Sequence, residues 1–329
     1  MNIYDIAREA GVSITTVSRV INNKPNVHPE TRERVQQIML RSNYIPSSFA
    51  RGMVTKTSRL VGILTIDMRM PHYAETIFSL EAELHSAGFQ ALICNTGGDM
   101  EKGNEYLRTL RECGACGAVL IGSVFQNRFA QTSFMDSGES FFYLLVNYEM
   151  AIKRSCSVIL DDRYAVEMVI DHLMEKGHRN IVYVQDAETQ SGIRKRKSFL
   201  SVMKEKGLDS SEDRVFRTER SIGGGRKAFD AIMDSGLSPT AVFLGDDLTA
   251  VGLISRAQTC GRRIPEDLAV VGYNNSPYGR IFAPHLTTVD TKTDVLASCA
   301  AMLIKNMVEG KQTTRILHVH PELIVREST

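Results

Sequence analysis

The sequence predicts a small all-α module at the N-terminus, followed by an α/β core of two lobes. Over the first 45 residues, apolar residues follow helical spacing and turn residues recur at short intervals. Beyond residue 60, strand-like apolar runs alternate with amphipathic helical stretches. The length of 329 residues, 43% of them apolar, suits such a module plus two lobes better than one domain. We therefore predict a helical module at 1–45, a hinge at 46–59 and a core at 60–329.

The N-terminal module has the residue pattern of a helix-turn-helix. Asn2 can cap a first helix, and Gly11 supplies the backbone freedom that a tight turn needs. Ser13 can cap a second helix over residues 14–22, and Pro29 suits the first turn of a third. The helix, turn and helix together predict a motif that places its second helix in the major groove of DNA.

The charge is unevenly distributed along the chain. Residues 1–60 carry a net charge of +5 and the remainder carries −4, although the whole chain carries only +1. Such asymmetry indicates a polyanion-binding module attached to a neutral or acidic body. The N-terminus lacks a basic stretch followed by an apolar one, and no apolar run approaches about 18 residues. We therefore expect a cytoplasmic protein.

The core shows the pattern of parallel sheets. Strands are predicted at 60–66, 90–94, 118–122, 142–146, 157–160, 180–184, 240–245 and 268–273, with helices at 73–87, 164–175, 226–234 and 294–308. Strands separated by helices pair in parallel through right-handed crossovers. About eight strands plus C-terminal ones suit two sheets, with one lobe at 60–161 and 289–316 and the other at 162–288 and 317–329. Ligands bind at the carboxyl ends of such strands, so the cleft between the lobes is the expected site.

Catalytic and metal-binding signatures are weak. Of six cysteines only Cys113 and Cys116 lie close together, whereas a structural zinc site needs four ligands. No dinucleotide fingerprint, phosphate-binding loop or nucleophile elbow occurs. Gly223-Gly-Gly225 can begin a helix or, as the weaker alternative, bind an anion. We expect no cofactor, metal or catalysis. A sugar-active enzyme with a DNA module and a ligand-independent DNA binder remain as alternatives.

The run over residues 3–23, together with Thr31–Val35 and Asn43–Pro46, resembles the N-terminal signature of the lactose/galactose repressor family. The resemblance extends through core landmarks such as Gly245–Ala250 and covers essentially the whole chain. It implies a periplasmic-binding-protein type I fold, with two Rossmann-like lobes joined by three crossovers. It also implies a homodimeric repressor whose affinity for a palindromic operator is controlled by a small-molecule effector, a sugar or sugar derivative.

The resemblance also assigns DNA contacts. Ile14, Thr15 and Arg19 match the positions that read the major groove. The Arg19 guanidinium can donate two hydrogen bonds to the O6 and N7 atoms of a guanine. Residues 47–54 match a hinge helix that inserts an apolar residue, here Met53, into the minor groove. The full predicted set is Ser13, Ile14, Thr15, Thr16, Ser18, Arg19, Asn22, Tyr44, Ser47, Ala50, Arg51 and Met53.

The predicted effector contacts carry over in the same way. They are Tyr73, Asn95, Asn147, Asp161, Arg194, Lys195, Phe243, Asp247 and Asn274. The chain departs from the family at Lys195, where an arginine is usual, and at Asn147 and Asn274, where carboxylates are frequent. Lysine lacks the bidentate fork of arginine. The two absent negative charges and the basic run at 194–197 suggest an anionic effector, unless that run is only a solvated helix start.

Overall fold

The computed structural model describes residues 2–21, 24–42, 44, 59–129, 141–150 and 152–329. The chain divides into two compact units, one within residues 1–59 and one formed by nearly all of residues 60–329. The predicted hinge at 46–59 lies outside the described residues, apart from Arg59. No helix in the described part of the chain is long and apolar enough to span a membrane.

The N-terminal unit contains three helices, α1 (Ile3–Ala10), α2 (Ile14–Ile21) and α3 (Pro29–Arg41). Asn2 caps α1 in a capping box, because its side chain accepts from the Asp5 N–H while Asp5 accepts from the Asn2 N–H. Gly11 ends α1 with φ of 64°, in the left-handed region. The Ser13 hydroxyl oxygen accepts from the Thr16 N–H at 3.2 Å at the start of α2. These local signals confirm the predicted helix-turn-helix.

The small core of this unit is formed by one apolar face from each helix. Its buried side chains are Ile6, Ala7, Ala10, Val17, Val20, Val35 and Ile38. Because this face points inward, the opposite face of α2 is left toward solvent.

The second unit begins with β1 (Leu60–Thr65), α4 (Pro71–Ser86), β2 (Gln90–Asn95), α5 (Met100–Glu112), β3 (Gly117–Ile121), α6 (Val124–Phe129), β4 (Phe142–Val146) and β5 (Ser155–Leu160). It continues with α7 (Asp162–Glu175), β6 (Ile181–Gln185), α8 (Gln190–Glu205), β7 (Val215–Arg217), α9 (Ile222–Asp234), β8 (Ala241–Leu244), α10 (Asp247–Thr259) and β9 (Ala269–Tyr273). It ends with α11 (Tyr278–Ile281), β10 (Thr287–Asp290), α12 (Thr293–Val308), β11 (Ile316–Val319) and β12 (Glu322–Ile324), and a 3₁₀ turn over Glu212–Arg214 precedes β7.

These strands form two six-stranded sheets, which confirms the predicted two-lobed α/β fold. The first has the order β11-β5-β4-β3-β1-β2, and all its pairs are parallel. The second has the order β12-β10-β9-β8-β6-β7, and only the β10–β12 pair is antiparallel. The predicted lobe boundaries differ slightly from this arrangement, because β10 belongs wholly to the second sheet and β11 wholly to the first.

The glycine run Gly223-Gly-Gly225 lies in the first turn of α9, where Ser221 caps the helix through the Gly224 N–H at 2.8 Å. A Cβ atom on Gly225 would lie 2.0 Å from the Thr249 carbonyl oxygen of α10. A Cβ atom on Gly252 would lie 2.2 Å from the Ile222 carbonyl oxygen. The helix-start interpretation is confirmed, and close packing of α9 on α10 is what requires glycine.

Candidate functional site: a DNA-reading helix and an effector cavity

The outer face of α2 carries the predicted base-reading residues. Thr15 and Arg19 are exposed and one helical turn apart, and the Ile14 side chain is 41% exposed. Val17 and Val20 are buried on the opposite face. The α2 backbone therefore presents Ile14, Thr15 and Arg19 together toward solvent, the placement that groove reading requires.

The other predicted DNA contacts are placed as follows. The hydroxyls of Ser13 and Thr16 lie 3.0 Å apart at the start of α2, and Ser18 is half-buried on the same helix. Tyr44 packs against the helical core, and its N–H donates to the Met39 carbonyl at 3.0 Å. Asn22, Ser47, Ala50, Arg51 and Met53 lie outside the described residues.

A cavity lies in the second unit, among loops at the carboxyl ends of strands from both sheets. Its lining from the first lobe and the crossover segments is His72, Tyr73, Gly122, Ser123, Asn147, Leu160 and Thr291. Its lining from the second lobe is Asp162, Thr189, Ser191, Lys195, Arg220, Tyr273 and Asn274. Tyr73, Asn147, Lys195 and Asn274 are thus the predicted effector residues that the fold brings together.

Lys195 enters this cavity from α8 as a buried cation. Only 4% of the residue is exposed, and its Nζ donates to the Gly245 carbonyl at 2.9 Å. The Nζ also lies 4.0 Å from the centre of the Tyr273 ring, a cation–π contact. Burial lowers the pKa of Lys195, although the Asp186, Asp162 and Asp246 carboxylates act in the opposite direction.

Arg220 is a second cation in the cavity, and the sequence analysis did not identify it. Its guanidinium lies 3.4 Å from an Asp186 oxygen and 3.7 Å from an Asp246 oxygen. Burial opposes the charge of Arg220, but these two carboxylates outweigh it and raise the pKa of the guanidinium. Asp246 also accepts from the Asn274 side-chain amide at 2.8 Å, which positions Asn274 beside the cavity.

Asp162, which is 5% exposed, lines the cavity where Asp161 was predicted to do so. Its carboxylate accepts from the Tyr273 hydroxyl at 2.9 Å and from the Arg194 Nε at 3.1 Å. Asp161 instead accepts from the Tyr164 N–H at 2.9 Å and so caps α7. Because the Asp161 carboxylate is used for this capping bond, Asp162 and not Asp161 lines the cavity.

Four further predicted effector residues do not line the cavity. Phe243 is fully buried in the sheet, with its ring centre 5.3 Å from that of Tyr183. Asp247 is also fully buried, because its carboxylate accepts from the Thr288 hydroxyl and the Ser276 N–H, each at 2.6 Å. The Asn95 side-chain oxygen accepts from the Met68 N–H at 3.1 Å. Arg194 reaches past the cavity to donate to the Asn147 carbonyl at 2.9 Å.

Several buried polar atoms at the cavity have no hydrogen-bond partner within the described part of the chain. They are His72 Nδ1, Arg220 Nε and Thr291 Oγ1. Burial, with Arg220 and Lys195 nearby, lowers the pKa of His72 to about 3, so its ring is neutral at neutral pH. Buried polar atoms are costly unless they are bonded. These three atoms are therefore available to polar groups of a ligand, and the Arg220 Nε also lies 3.7 Å from an Asp246 oxygen.

A helical DNA-reading module and a two-lobed ligand-binding core on one chain define a ligand-responsive transcription regulator. Residues 2–47 match the model of the lacI family of bacterial regulatory proteins, and residues 170–329 match that of the periplasmic binding protein-like domain. The HTH-type transcriptional repressor PurR of Proteus mirabilis is 30% identical over 329 residues, covering 99% of this chain and 96% of PurR. The chain therefore belongs to the lacI family of bacterial regulatory proteins, and it is a DNA-binding transcription regulator.

Solved structures agree on the fold over the full length. The lac repressor dimer bound to operator and the anti-inducer ONPF has a TM-score of 0.87 at 21% identity, covering 100% of this chain and 98% of the repressor chain. The transcriptional regulator CelR in complex with cellobiose has a TM-score of 0.72 at 24% identity, covering 100% of both chains.

Proposed function

We propose that this chain is a cytoplasmic, homodimeric repressor whose affinity for a palindromic operator changes when a small neutral polyhydroxylated effector occupies the cavity between its lobes. The observation that carries the proposal is the set of buried polar groups around that cavity, where His72 Nδ1 and Thr291 Oγ1 have no hydrogen-bond partner among the described residues.

On the DNA side, residues 1–45 form the reading domain and residues 46–59 the hinge. Arg19 contacts a guanine and Thr15 offers a hydroxyl and a methyl group to a base edge. Ile14 packs on a thymine methyl. A two-fold dimer presents two such helices, so the operator has matching two-fold symmetry.

The charges at the cavity favour a neutral effector over the anionic one suggested by the sequence. Within the basic run at 194–197, only Lys195 lines the cavity, since Arg194 pairs with Asp162 at 3.0 Å and Arg196 pairs with Glu212 at 2.9 Å. The charged residues that line the cavity are Lys195, Arg220 and Asp162. Arg194 pairs with Asp162, and Asp186 and Asp246 pair with Arg220, so this ion-pair network holds three bases and three acids. Because these charges balance, an anionic ligand would add an uncompensated buried charge.

Hydroxyl groups of a ligand suit a cavity with both acidic and basic side chains, because each hydroxyl can donate to a carboxylate and accept from a cation. The cellobiose bound by CelR, whose fold is shared, is a ligand of this chemical class. A sugar or sugar derivative is therefore the effector class we propose, with Tyr73 supplying an aromatic face and Asn147 and Asn274 at the edges.

The test uses the full-length protein. Operators are selected from random duplex DNA, and operator affinity is then measured by fluorescence anisotropy against neutral sugars, sugar acids and sugar phosphates. We expect a palindromic site and a change of affinity with at least one neutral sugar. Response to acids or phosphates alone would reject the neutral class. If no metabolite changes the affinity, the ligand-independent binder is favoured, and turnover of a cavity ligand would favour the enzyme.

A further inference from the structure

Lys195 is distinguished from the other cations at the cavity by its contacts. Arg194 has a carboxylate oxygen at 3.0 Å and Arg220 has one at 3.4 Å. The Lys195 Nζ has only the Gly245 carbonyl and the Tyr273 ring, and among the described residues no carboxylate oxygen lies within 4.0 Å of it. Its amine is therefore held at the cavity wall without a contacting counter-ion.

Two features make this amine more reactive than an exposed lysine. Burial disfavours the ammonium form, and the positive charge of Arg220 acts in the same direction, so the pKa of Lys195 is lowered despite the acids further away. A lysine that is desolvated beside another cation is the environment in which proteins use lysine as a carbonyl nucleophile. Lys195 is also one of the residues that line the cavity, so its amine lies close to a ligand bound there.

We infer that Lys195 forms a reversible imine with a ligand that carries an aldehyde, such as the open-chain form of a reducing sugar or a smaller hydroxyaldehyde. This inference rests on the proposed function for the location of the ligand, and it narrows the effector class to polyhydroxylated aldehydes. An arginine at this position would bind hydroxyls but would not condense with a carbonyl.

The reaction needs no oxidant, reductant or metal. The lone pair of the neutral amine attacks the aldehyde carbon, a C–N bond forms, and the carbonyl oxygen takes up a proton to give a carbinolamine. The two protons of the amine leave with that oxygen as one water molecule, and the C=N bond forms. Hydrolysis by water reverses each step, so the bound state depends on ligand concentration.

Trapping by reduction tests the inference on the full-length protein. The protein is incubated with glycolaldehyde and sodium cyanoborohydride, which reduces an imine to a stable secondary amine, and labelled peptides are mapped by mass spectrometry. Lys197 is the internal reference, because it lies exposed on the same helix, α8. We expect faster labelling of Lys195 than of Lys197 at pH 7.

Two variants complete the test. Lys195→Arg should abolish the labelling at 195, whereas Lys197→Arg should leave it unchanged. Faster labelling of the exposed Lys197 than of the buried Lys195 would overturn the inference. This comparison is made in the wild-type protein, so it holds even if the Lys195→Arg variant fails to fold. Because the readout is covalent mass, it is separate from the operator assay: a non-reducing sugar alcohol that alters operator affinity would uphold the proposed function while Lys195 remained unlabelled.

Discussion

The Arg194 guanidinium and the Asp162 carboxylate meet at 3.0 Å where the two lobes adjoin. Arg194 also donates to the Asn147 carbonyl of the first lobe at 2.9 Å. On the same helix, α8, the Ser191 N–H donates to the Ser123 hydroxyl oxygen of the first lobe at 3.0 Å. The beginning of α8 is therefore tied to the opposite lobe by the protein's own side chains.

Replacing Arg194 with alanine should loosen this tie. The variant leaves the Asp162 carboxylate buried without its cation, at a cost of roughly 1–3 kcal/mol in the free energy of unfolding. We expect a lower urea midpoint, and a changed effector concentration at half-maximal response because the lobes are less firmly held. Arg196→Ala is the matched control on α8, because its partner Glu212 is 62% exposed and such a pair contributes less than about 1 kcal/mol. Equal losses of unfolding free energy in Arg194→Ala and Arg196→Ala would show that Arg194 does not hold α8 against the first lobe.

Arg19→Ala tests the reading helix. A bidentate arginine–guanine contact contributes about 1–3 kcal/mol of discrimination, so the ratio of affinities for the selected operator and a scrambled duplex should fall on the order of tenfold or more. Arg41→Ala removes the same charge from α3, where Arg41 pairs with Glu9 at 3.3 Å. The Arg41→Ala control should lower the affinity for the selected operator and for the scrambled duplex by the same factor. Unchanged discrimination in Arg19→Ala would refute base reading by α2.

Asp247 should make stability depend on pH. Burial raises its pKa from 3.8 to about 7 in the folded chain, so the folded state holds a proton that the unfolded state has lost. The stabilisation is therefore present below about pH 4 and is lost as the pH rises through about 7. His72 acts in the opposite direction, because its pKa is lowered from 6.5 to about 3 in the folded chain, and its contribution levels off only when the pH is well above 6.5. Comparison with an Asp247 variant removes this contribution, because both proteins share it.

The measurement is the urea midpoint of the wild type and of Asp247→Asn between about pH 5 and 8. Relative to the variant, the wild type should lose stability as the pH rises through about 7, whatever the absolute stability of the variant. Parallel curves would show that Asp247 does not titrate there.

Gly225→Ala tests the packing of α9 on α10. Its Cβ would lie 2.0 Å from the Thr249 carbonyl oxygen, so the helix backbones must separate, and overpacking of this kind costs roughly 1–3 kcal/mol or more. Gly223→Ala is a close control, because its Cβ would meet nothing nearer than 3.7 Å. That control should be neutral or stabilising by up to about 1 kcal/mol, since alanine favours helix. Similar stabilities for the two variants would contradict the packing argument.

Long apolar strands and capped helices could be predicted from the sequence, whereas the cavity could be predicted only in part. β4 (Phe142–Val146) is buried throughout, so its apolar run was sufficient to predict a strand. β7 (Val215–Arg217) has only three residues and is partly exposed, so the loop that brings Arg220 to the cavity gave no strand signal. The adjacent acids Asp161 and Asp162 are equivalent in sequence, and only the capping bond of Asp161 distinguishes the one that lines the cavity.

His72→Phe tests the cavity without disturbing the operator contacts. The change keeps an aromatic ring but removes both ring nitrogens, among them Nδ1, a buried atom for which the described residues offer no hydrogen-bond partner. Removing an unbonded polar atom should leave the unfolding free energy unchanged or raise it, because the desolvation cost disappears. If an effector hydroxyl bonds to Nδ1, losing that bond costs about 0.5–1.5 kcal/mol, so the effector concentration at half-maximal response should rise up to roughly tenfold. Operator affinity without effector should stay the same. Unchanged effector response together with unchanged stability would place the effector away from His72 and remove the main support for this cavity as its site.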